Sequence, residues 1–526
     1  MCGHDDYSFL GLLKDVLAYF HEKLMREKFR PDEKTIVLNV PDLTRCGIYF
    51  SLGLKYPMEY AEKYKMDVVF KRILFSRGII RLIEMYAQKL GNVEVNKVYT
   101  YEFKPNFQTE VNGEDIEKVR IEAYVDAYFR RPREILMIRY VGKLDSEETE
   151  LPKKHHIEQA ALYQWLALAN GDEVDRVRIL YHTGFGKIVR EYIVETKLSR
   201  NIMFREEFRN RILKRIETIL GPKKRPLYGW ECDICQFKRI CQRSVKLGEG
   251  IIPVSELRLT NLINEGEYRC YVDPTLKVTM LVLREAIENE IEISMKRARK
   301  RDFEYIVAPI TKIIDCPLKF WFNVYIPYAS VTAHLKEPVL RGNIVHYGAQ
   351  YIIRKLNGFP ELARKYNISY VEVEKTVKKP YIVAKDFSVI VKGRCDIIIE
   401  FACEDGTHID IIELKTTKGR DVKSALEKHE QQLKMYLGIL KDIIRKEEVR
   451  SVKGKLVYIH QEGRAKLTEK IFPIDEPLSE KDILRYLEEI RTVREEPEKA
   501  PIPRNSRECD ICDFFGICPY SRRQRT

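Results

Sequence analysis

The chain reads as an α/β protein of two tandem copies of one domain, each with a mixed central sheet, flanking helices and a helical cap closed by cysteines. Two observations predict this. A cysteine triplet of spacing C-x2-C-x5-C occurs twice, as Cys232, Cys235 and Cys241 and again as Cys509, Cys512 and Cys518. Each triplet follows one remote cysteine in similar context: Cys46 in PDLTRCGIYF, 186 residues before Cys232, and Cys316 in TKIIDCPLKF, 193 residues before Cys509. Four thiolates per half, one remote and three clustered, can close a four-coordinate metal site that ties the end of each half to its beginning. The second observation is a repeated order of periodicities. Residues 10–28 and 276–298 space their apolar side chains as helices do, and each leads into a β-branched run, at 34–41 and 304–311, then to the lone cysteine and an aromatic helix. Aligning Cys46 with Cys316 also pairs Ile48 with Leu318, Phe50 with Phe320, Leu52 with Phe322 and Pro57 with Pro327, an offset of 270 without a gap. Both periodicities break in GEGIIPVSEL and NEGEY, which sets domains at 1–245 and 271–526 around a linker at 246–270.

Composition narrows the class. Of 526 residues, 44% are hydrophobic and 33% charged, so each half has enough apolar surface for its own core. There is no apolar run of about 18 residues and no basic-then-apolar leader, which points away from a membrane and toward the cytoplasm. Twelve cysteines in such a chain favour metal ligation over a disulfide framework. The four outside the repeated sets, Cys2, Cys270, Cys395 and Cys403, share no spacing and read as small hydrophobes. A net charge of +13 favours a polyanionic partner, nucleic acid first. Abundant Lys and Glu with few Gln also resemble a thermophile composition, which explains many charges with no partner.

The chemistry concentrates in the second half. RGNIVHYGAQ at 341–350 places His346 in a helix, and GRCDIIIE at 393–400 puts Asp396 in an apolar strand. In HIDIIELKTTKG at 408–419, Glu413 and Lys415 are one residue apart, so both project from one face of a second strand. Two carboxylates on adjacent strands joined by an imidazole make a site for a hard cation, magnesium or manganese. Lys415 beside it would stabilise developing charge or orient the attacking water. In HEQQLKMYLGIL at 429–440, Gln432 and Tyr436 share a helix face.

This order of H, D, E-x-K, Q-x3-Y and C-x2-C-x5-C with an earlier lone cysteine resembles the RecB-like PD-(D/E)xK nucleases that carry a [4Fe-4S] cluster. It is most similar to the CRISPR-associated exonuclease family, the fourth Cas family, over nearly all of residues 300–526. The resemblance implies two restriction-endonuclease-like domains and a deoxyribonuclease acting on single-stranded DNA or overhangs during spacer preparation, alongside other CRISPR adaptation proteins. It implies that His346, Asp396 and Glu413 bind the catalytic Mg2+ or Mn2+, with the Leu414 carbonyl a further ligand, that Lys415 is the catalytic lysine, and that Gln432 and Tyr436 position the substrate strand. Cys316, Cys509, Cys512 and Cys518 would hold one cluster, and Cys46, Cys232, Cys235 and Cys241 a second. Zinc remains the alternative for four thiolates, since spacing does not identify the metal.

The first half keeps the order and departs at the chemistry. Leu82 stands in place of the histidine, Asp126 matches Asp396, Met137 replaces the glutamate and Arg139 the lysine, while Gln159 and Tyr163 retain the helix pair. One carboxylate and a soft thioether do not build a hard-cation site, so this half reads as a degenerate copy serving as scaffold and DNA grip. Two other functions stay open: a helicase-associated repair nuclease subunit, whose motor would be a separate chain because no G-x4-GK[ST] loop occurs, and a non-catalytic iron-sulfur DNA-binding assembly factor. The aromatic stretch KFWFNVYIPY at 319–328 fits either base stacking or a core.

Overall fold

The computed structural model describes residues 7–44, 46–90, 92–107, 109–111, 113–141, 151–183, 188–221, 235, 237, 241, 261–274, 305–314, 316–325, 337–417, 423–443, 449–462, 466–496 and 518. Cys232, Cys509, Cys512 and the expected helix at 276–298 lie outside them. The chain forms two compact units, one of Lys14–Met280 and one of Met1–Leu13 with Leu281–Thr526.

In the first unit the main elements are α1 (Phe9–Arg26, whose first turn belongs to the other unit), β1 (Thr35–Asn39), α2 (Gly47–Lys55), α3 (Asp67–Leu90), β2 (Val93–Phe103), β3 (Lys118–Phe129), β4 (Glu134–Tyr140), α4 (Lys154–Ala169), β5 (Arg176–His182), β6 (Ile188–Thr196), α5 (Ile202–Leu220) and β7 (Tyr268–Val272). Strand β3 carries β2 antiparallel on one edge. Its other edge is shared by β1, parallel at the start, and β4, antiparallel at the end. The sheet continues through β5, parallel to β4, then β6 and β7, so residues 268–270 of the expected linker belong to an edge strand.

The second unit repeats this topology. It contains β8 (Tyr305–Pro309), α6 (Pro317–Tyr325), α7 (Glu337–Arg354), β9 (Ile368–Ala384), β10 (Phe387–Cys403), β11 (Gly406–Thr417), α8 (Lys423–Ile443), β12 (Val449–Glu462), β13 (Lys466–Ile474) and α9 (Glu480–Glu495). Strand β9 lines one edge of β10, while β8 (parallel) and β11 (antiparallel) share the other. Strand β12 runs parallel to β11 and β13 antiparallel to β12.

Sequence explains the layering. Strand β11 is buried continuously from His408 to Leu414, as a central strand covered on both faces must be. The tight β10–β11 turn depends on Gly406, at φ 130°, a conformation side chains oppose. Helix α8 buries Leu433, Met435, Leu437, Ile439 and Leu440 in the core that Val389, Val391, Ile411 and Leu456 build from the sheet. The equivalent core of the first unit joins Ile121, Ile135, Ile179 and Leu162. Phe320 enters the second unit's main core, and Phe322 a smaller one with Leu318 and Val493, which assigns those aromatics to packing.

Candidate active site

The pairing of β10 has a gap. Its partnership with β8 ends at Lys392 and that with β11 begins at Ile397, opposite Ile412. Among the described residues, no strand therefore pairs with residues 393–396 on that edge. One step beyond the Ile397–Ile412 pair, Asp396 and Glu413 sit where the two strands part.

Each end of the gap is held by side chains. The Asp396 Oδ2 accepts from the Leu414 N–H at 2.8 Å and lies 3.5 Å from His346 Nδ1 on α7. Gly342 lets α7 approach β11, since a Cβ there would stand 3.2 Å from Thr416 Oγ1. Lys415 Nζ donates to Glu413 Oε1 at 2.6 Å and lies 3.3 Å from Gln432 Oε1, while Gln432 Nε2 donates to the same Glu413 oxygen at 2.6 Å. A single amide thus ties the carboxylate to the ammonium.

Tyr436 works on the gap itself. Its hydroxyl accepts from the Arg394 N–H at 3.2 Å and donates to the Arg394 carbonyl at 3.0 Å, satisfying both backbone groups that a missing strand leaves without a ladder partner. The neighbouring Gly393 makes room, because a Cβ there would collide with the Tyr436 ring and with Ile310. Gln432 and Tyr436 are both buried, and these contacts run to Glu413, Lys415 and the strand backbone.

Charge follows burial. Burial and then the Asp396 charge push the Glu413 carboxyl up to about 7, with Lys415 opposing them. Burial also pushes Asp396 up, but the His346 ring, Lys415 and the Leu414 N–H outweigh it and leave that carboxyl below its ordinary range. Two carboxylates crowded in a poorly solvated place, with an imidazole beside one of them, are oxygen and nitrogen donors that suit a hard divalent cation.

The first unit has the same frame. Ala127 pairs with Leu136, so Asp126 and Met137 stand where Asp396 and Glu413 do. The Ile138 N–H donates to Asp126 Oδ2 at 2.7 Å, as Leu414 does to Asp396. Met137 is only 1% exposed and belongs to the core. Arg139 Nη1 lies 3.6 Å from Asp126, and its Nη2 donates to Gln159 Oε1 at 2.9 Å. Gln159 Nε2 in turn donates to Thr44 Oγ1 at 2.9 Å. A guanidinium supplies the positive charge beside the remaining carboxylate.

The sequence reading missed one pair. His429 Nδ1 lies 2.6 Å from Tyr458 Oη, and Tyr458 is the register partner of Lys415 on β12. His156 Nδ1 lies 2.7 Å from Tyr181 Oη, and Tyr181 is the register partner of Arg139. The signal was present: each histidine stands three residues before its glutamine, so the repeated motif is H-x2-Q-x3-Y.

Of the two repeated cysteine sets, Cys46, Cys235, Cys241, Cys316 and Cys518 are described. Cys316 and Cys518 pack on one small apolar cluster of Leu318, Phe322 and Val493, which joins α6 to α9. Cys46 is the residue before α2, and Cys235 packs beside Phe237 with Tyr49 and Leu52 of that helix. In the second unit the remote cysteine thus shares a cluster with the last of its triplet, and in the first Cys235 packs against the helix that follows Cys46. Cys403, Asp405 and His408 also lie together at the β10–β11 turn, but Cys403 is disulfide-bonded, which corrects its reading as a plain small hydrophobe and removes a thiolate from that group. Among the described residues no helix is long and apolar enough to cross a membrane.

The model of the PD-(D/E)XK nuclease superfamily matches residues 81–242 and 350–519, together more than half of the chain and both copies of the repeat. The second match begins after His346. A solved structure titled "Crystal structure of SSO0001" is 23% identical, covering 46% of this chain and 96% of that one with a TM-score of 0.34, and nothing in the reading of the site rests on it. No curated protein matches the sequence.

Proposed function

Since the chain belongs to the PD-(D/E)XK nuclease superfamily, we propose that its second unit is a metal-dependent deoxyribonuclease. His346, Asp396 and Glu413 hold magnesium or manganese, with the Leu414 carbonyl a further ligand. The observation that supports this most is the meeting of Asp396 and Glu413 where β10 and β11 part, with Lys415 bonded to Glu413 at 2.6 Å. When bound, such an ion activates water and polarises a phosphodiester. The chain's own residues prepare the place. Lys415 offsets negative charge developing on the phosphoryl group, and Gln432 keeps Lys415 and Glu413 in fixed relation. Tyr436 holds Arg394, and through it Asp396 two residues on. The first unit is a copy without this chemistry.

The two cysteine sets each carry a [4Fe-4S] cluster that closes its cap, a reading supported by Cys316 and Cys518 sharing one cluster of side chains. The substrate is single-stranded DNA or an overhang, and the setting is CRISPR adaptation in the cytoplasm, trimming spacer precursors with other adaptation proteins. Asp396→Ala is the direct test. Cleavage of a labelled single strand in Mn2+ falls by at least about 10³-fold while binding in EDTA persists. Undiminished cleavage by the variant would place the chemistry elsewhere.

A further inference from the structure

The arm formed by β9 and β10 carries a charge pattern that packing does not explain. Val377 and Tyr381 on β9 and Val389 and Val391 on β10 enter the core. The residues that alternate with them take the other face, where Thr376, Lys378, Lys392 and Arg394 are exposed. Lys378 and Lys392 are register partners, so two ammonium groups stand directly opposite each other. Like charges in that relation weaken an antiparallel pair, and among the described residues neither lysine has an acidic partner. The next pair toward the site is Thr376 with Arg394. Arg394 Nη1 lies 3.3 Å from Glu374 Oε1, and the other oxygen of that carboxylate lies 3.9 Å from Arg354 Nη2, at the end of the helix that brings His346 to Asp396. Four cations and one carboxylate thus run from the arm to within two residues of Asp396.

The first unit supplies an internal comparison. On β2 and β3, Asn96 falls opposite Asp126, between the pairs Val95–Ala127 and Lys97–Val125, as Glu374 falls opposite Asp396 between Val373–Ile397 and Lys375–Cys395. Both residues are left-handed, at φ 53° and 56°, so the same place is marked in each copy. Counting from there, Val98 and Tyr124 stand where Thr376 and Arg394 do, and Thr100 and Glu122 stand where the two lysines do. Tyr124 Oη donates to Glu122 Oε2 at 2.7 Å. The copy with Met137 in place of Glu413 therefore keeps the strand frame without these cations. The charges accompany the carboxylates, not the fold.

We propose that this face of the β9–β10 arm is the track on which single-stranded DNA reaches the site, with Lys378, Lys392 and Arg394 contacting its phosphates. This rests on the reading of the second unit as a deoxyribonuclease. Lys392 lies four residues before Asp396, about 13 Å along an extended strand, so the strand is gripped a short distance from the phosphodiester to be cut. Ammonium groups bind phosphate as point charges without reading bases, and a phosphate beside Lys378 and Lys392 relieves their repulsion.

The test is fluorescence anisotropy of the full chain in EDTA, which withholds the hydrolytic ion, with a labelled oligothymidylate across a range of KCl. The double variant Lys378→Gln/Lys392→Gln binds about tenfold more weakly, and its log–log salt slope falls by about 0.7 to 1.4. Its thermal midpoint holds or rises, because the repulsion between the strands is gone. Should the double variant fold poorly, Lys378→Glu reads the same contact while giving Lys392 a partner of opposite charge. Unchanged affinity and slope in a folded variant overturn the track. The assay needs no cleavage, so lysine-dependent binding by a parent chain that never cuts in Mn2+ refutes the nuclease reading alone, and cutting with lysine-independent binding refutes this track alone.

Discussion

Tyr436→Phe removes one oxygen and leaves the ring in its buried slot. That oxygen bonds the Arg394 N–H and carbonyl at 3.2 and 3.0 Å, in the four-residue gap between the β8 and β11 pairings. Burial keeps the phenol protonated, so it remains a donor at any working pH. An orphaned buried backbone group costs about 1–3 kcal/mol. The Arg394 side chain is exposed, at 58%, so water partly replaces the loss and the net cost is about 1–2 kcal/mol. For a unit of this size that is a fall in Tm of about 2–8 °C. Because Arg394 lies two residues before Asp396, turnover falls about tenfold while KM for the DNA strand holds. Gly393→Ala disturbs the same place from the other side, by driving a Cβ into the Tyr436 ring and Ile310, and costs a similar amount. The assays are urea unfolding of the parent and both variants, and steady-state cleavage of a labelled single strand. A Tyr436→Phe chain of parental stability, with raised KM and unchanged kcat, would show the hydroxyl touching substrate and refute the reasoning.

Two further outcomes are expected. His182, buried on β5 with Nε2 at 2.9 Å from Ser76 Oγ, has its pKa brought down to about 4 by burial. The unfolded chain therefore binds the extra proton first as pH falls, so this contribution is full above about 6.5 and disappears by about 4, a loss of about 3 kcal/mol. Urea midpoints between pH 7 and 4.5 should show that slope, and His182→Gln should flatten it; an unaltered slope in the variant contradicts the assignment. Anaerobically purified protein should carry about eight iron with matching sulfide. Zinc alone would end the cluster reading.

The fold was legible because its signals are local. The apolar run before Glu413 and the helical spacing of Gln432 and Tyr436 each depend on near neighbours, and the repeat at offset 270 presents such local patterns twice. The closeness of Glu413 and Lys415 was legible too, since E-x-K on a strand sets both side chains on one face. What the sequence did not disclose is where a strand lacks a partner. Nothing in GRCDIIIE says that residues 393–396 face a gap, so the work of Tyr436 on the Arg394 backbone was invisible and its position suggested only contact with substrate. The His429–Tyr458 pair was hidden for a similar reason, because it depends on which residue of a distant parallel strand lands beside Lys415.

The first unit shows what the second carries in addition. Both copies leave an aspartate at the parting of two strands, bonded by a backbone N–H at 2.7 Å in one and 2.8 Å in the other. In the first unit Arg139 neutralises that aspartate directly and Met137 fills the adjoining space with core, so the pocket balances its own charge. In the second unit Glu413 adds a negative charge that one lysine shares with it, and burial drives that carboxyl up to about 7. A buried group held so far from its ordinary range costs stability that a packed methionine does not. The fold therefore tolerates the site without requiring it. The frame is the same in both copies, and Met137 needs none of the partners that Glu413 draws from Lys415 and Gln432.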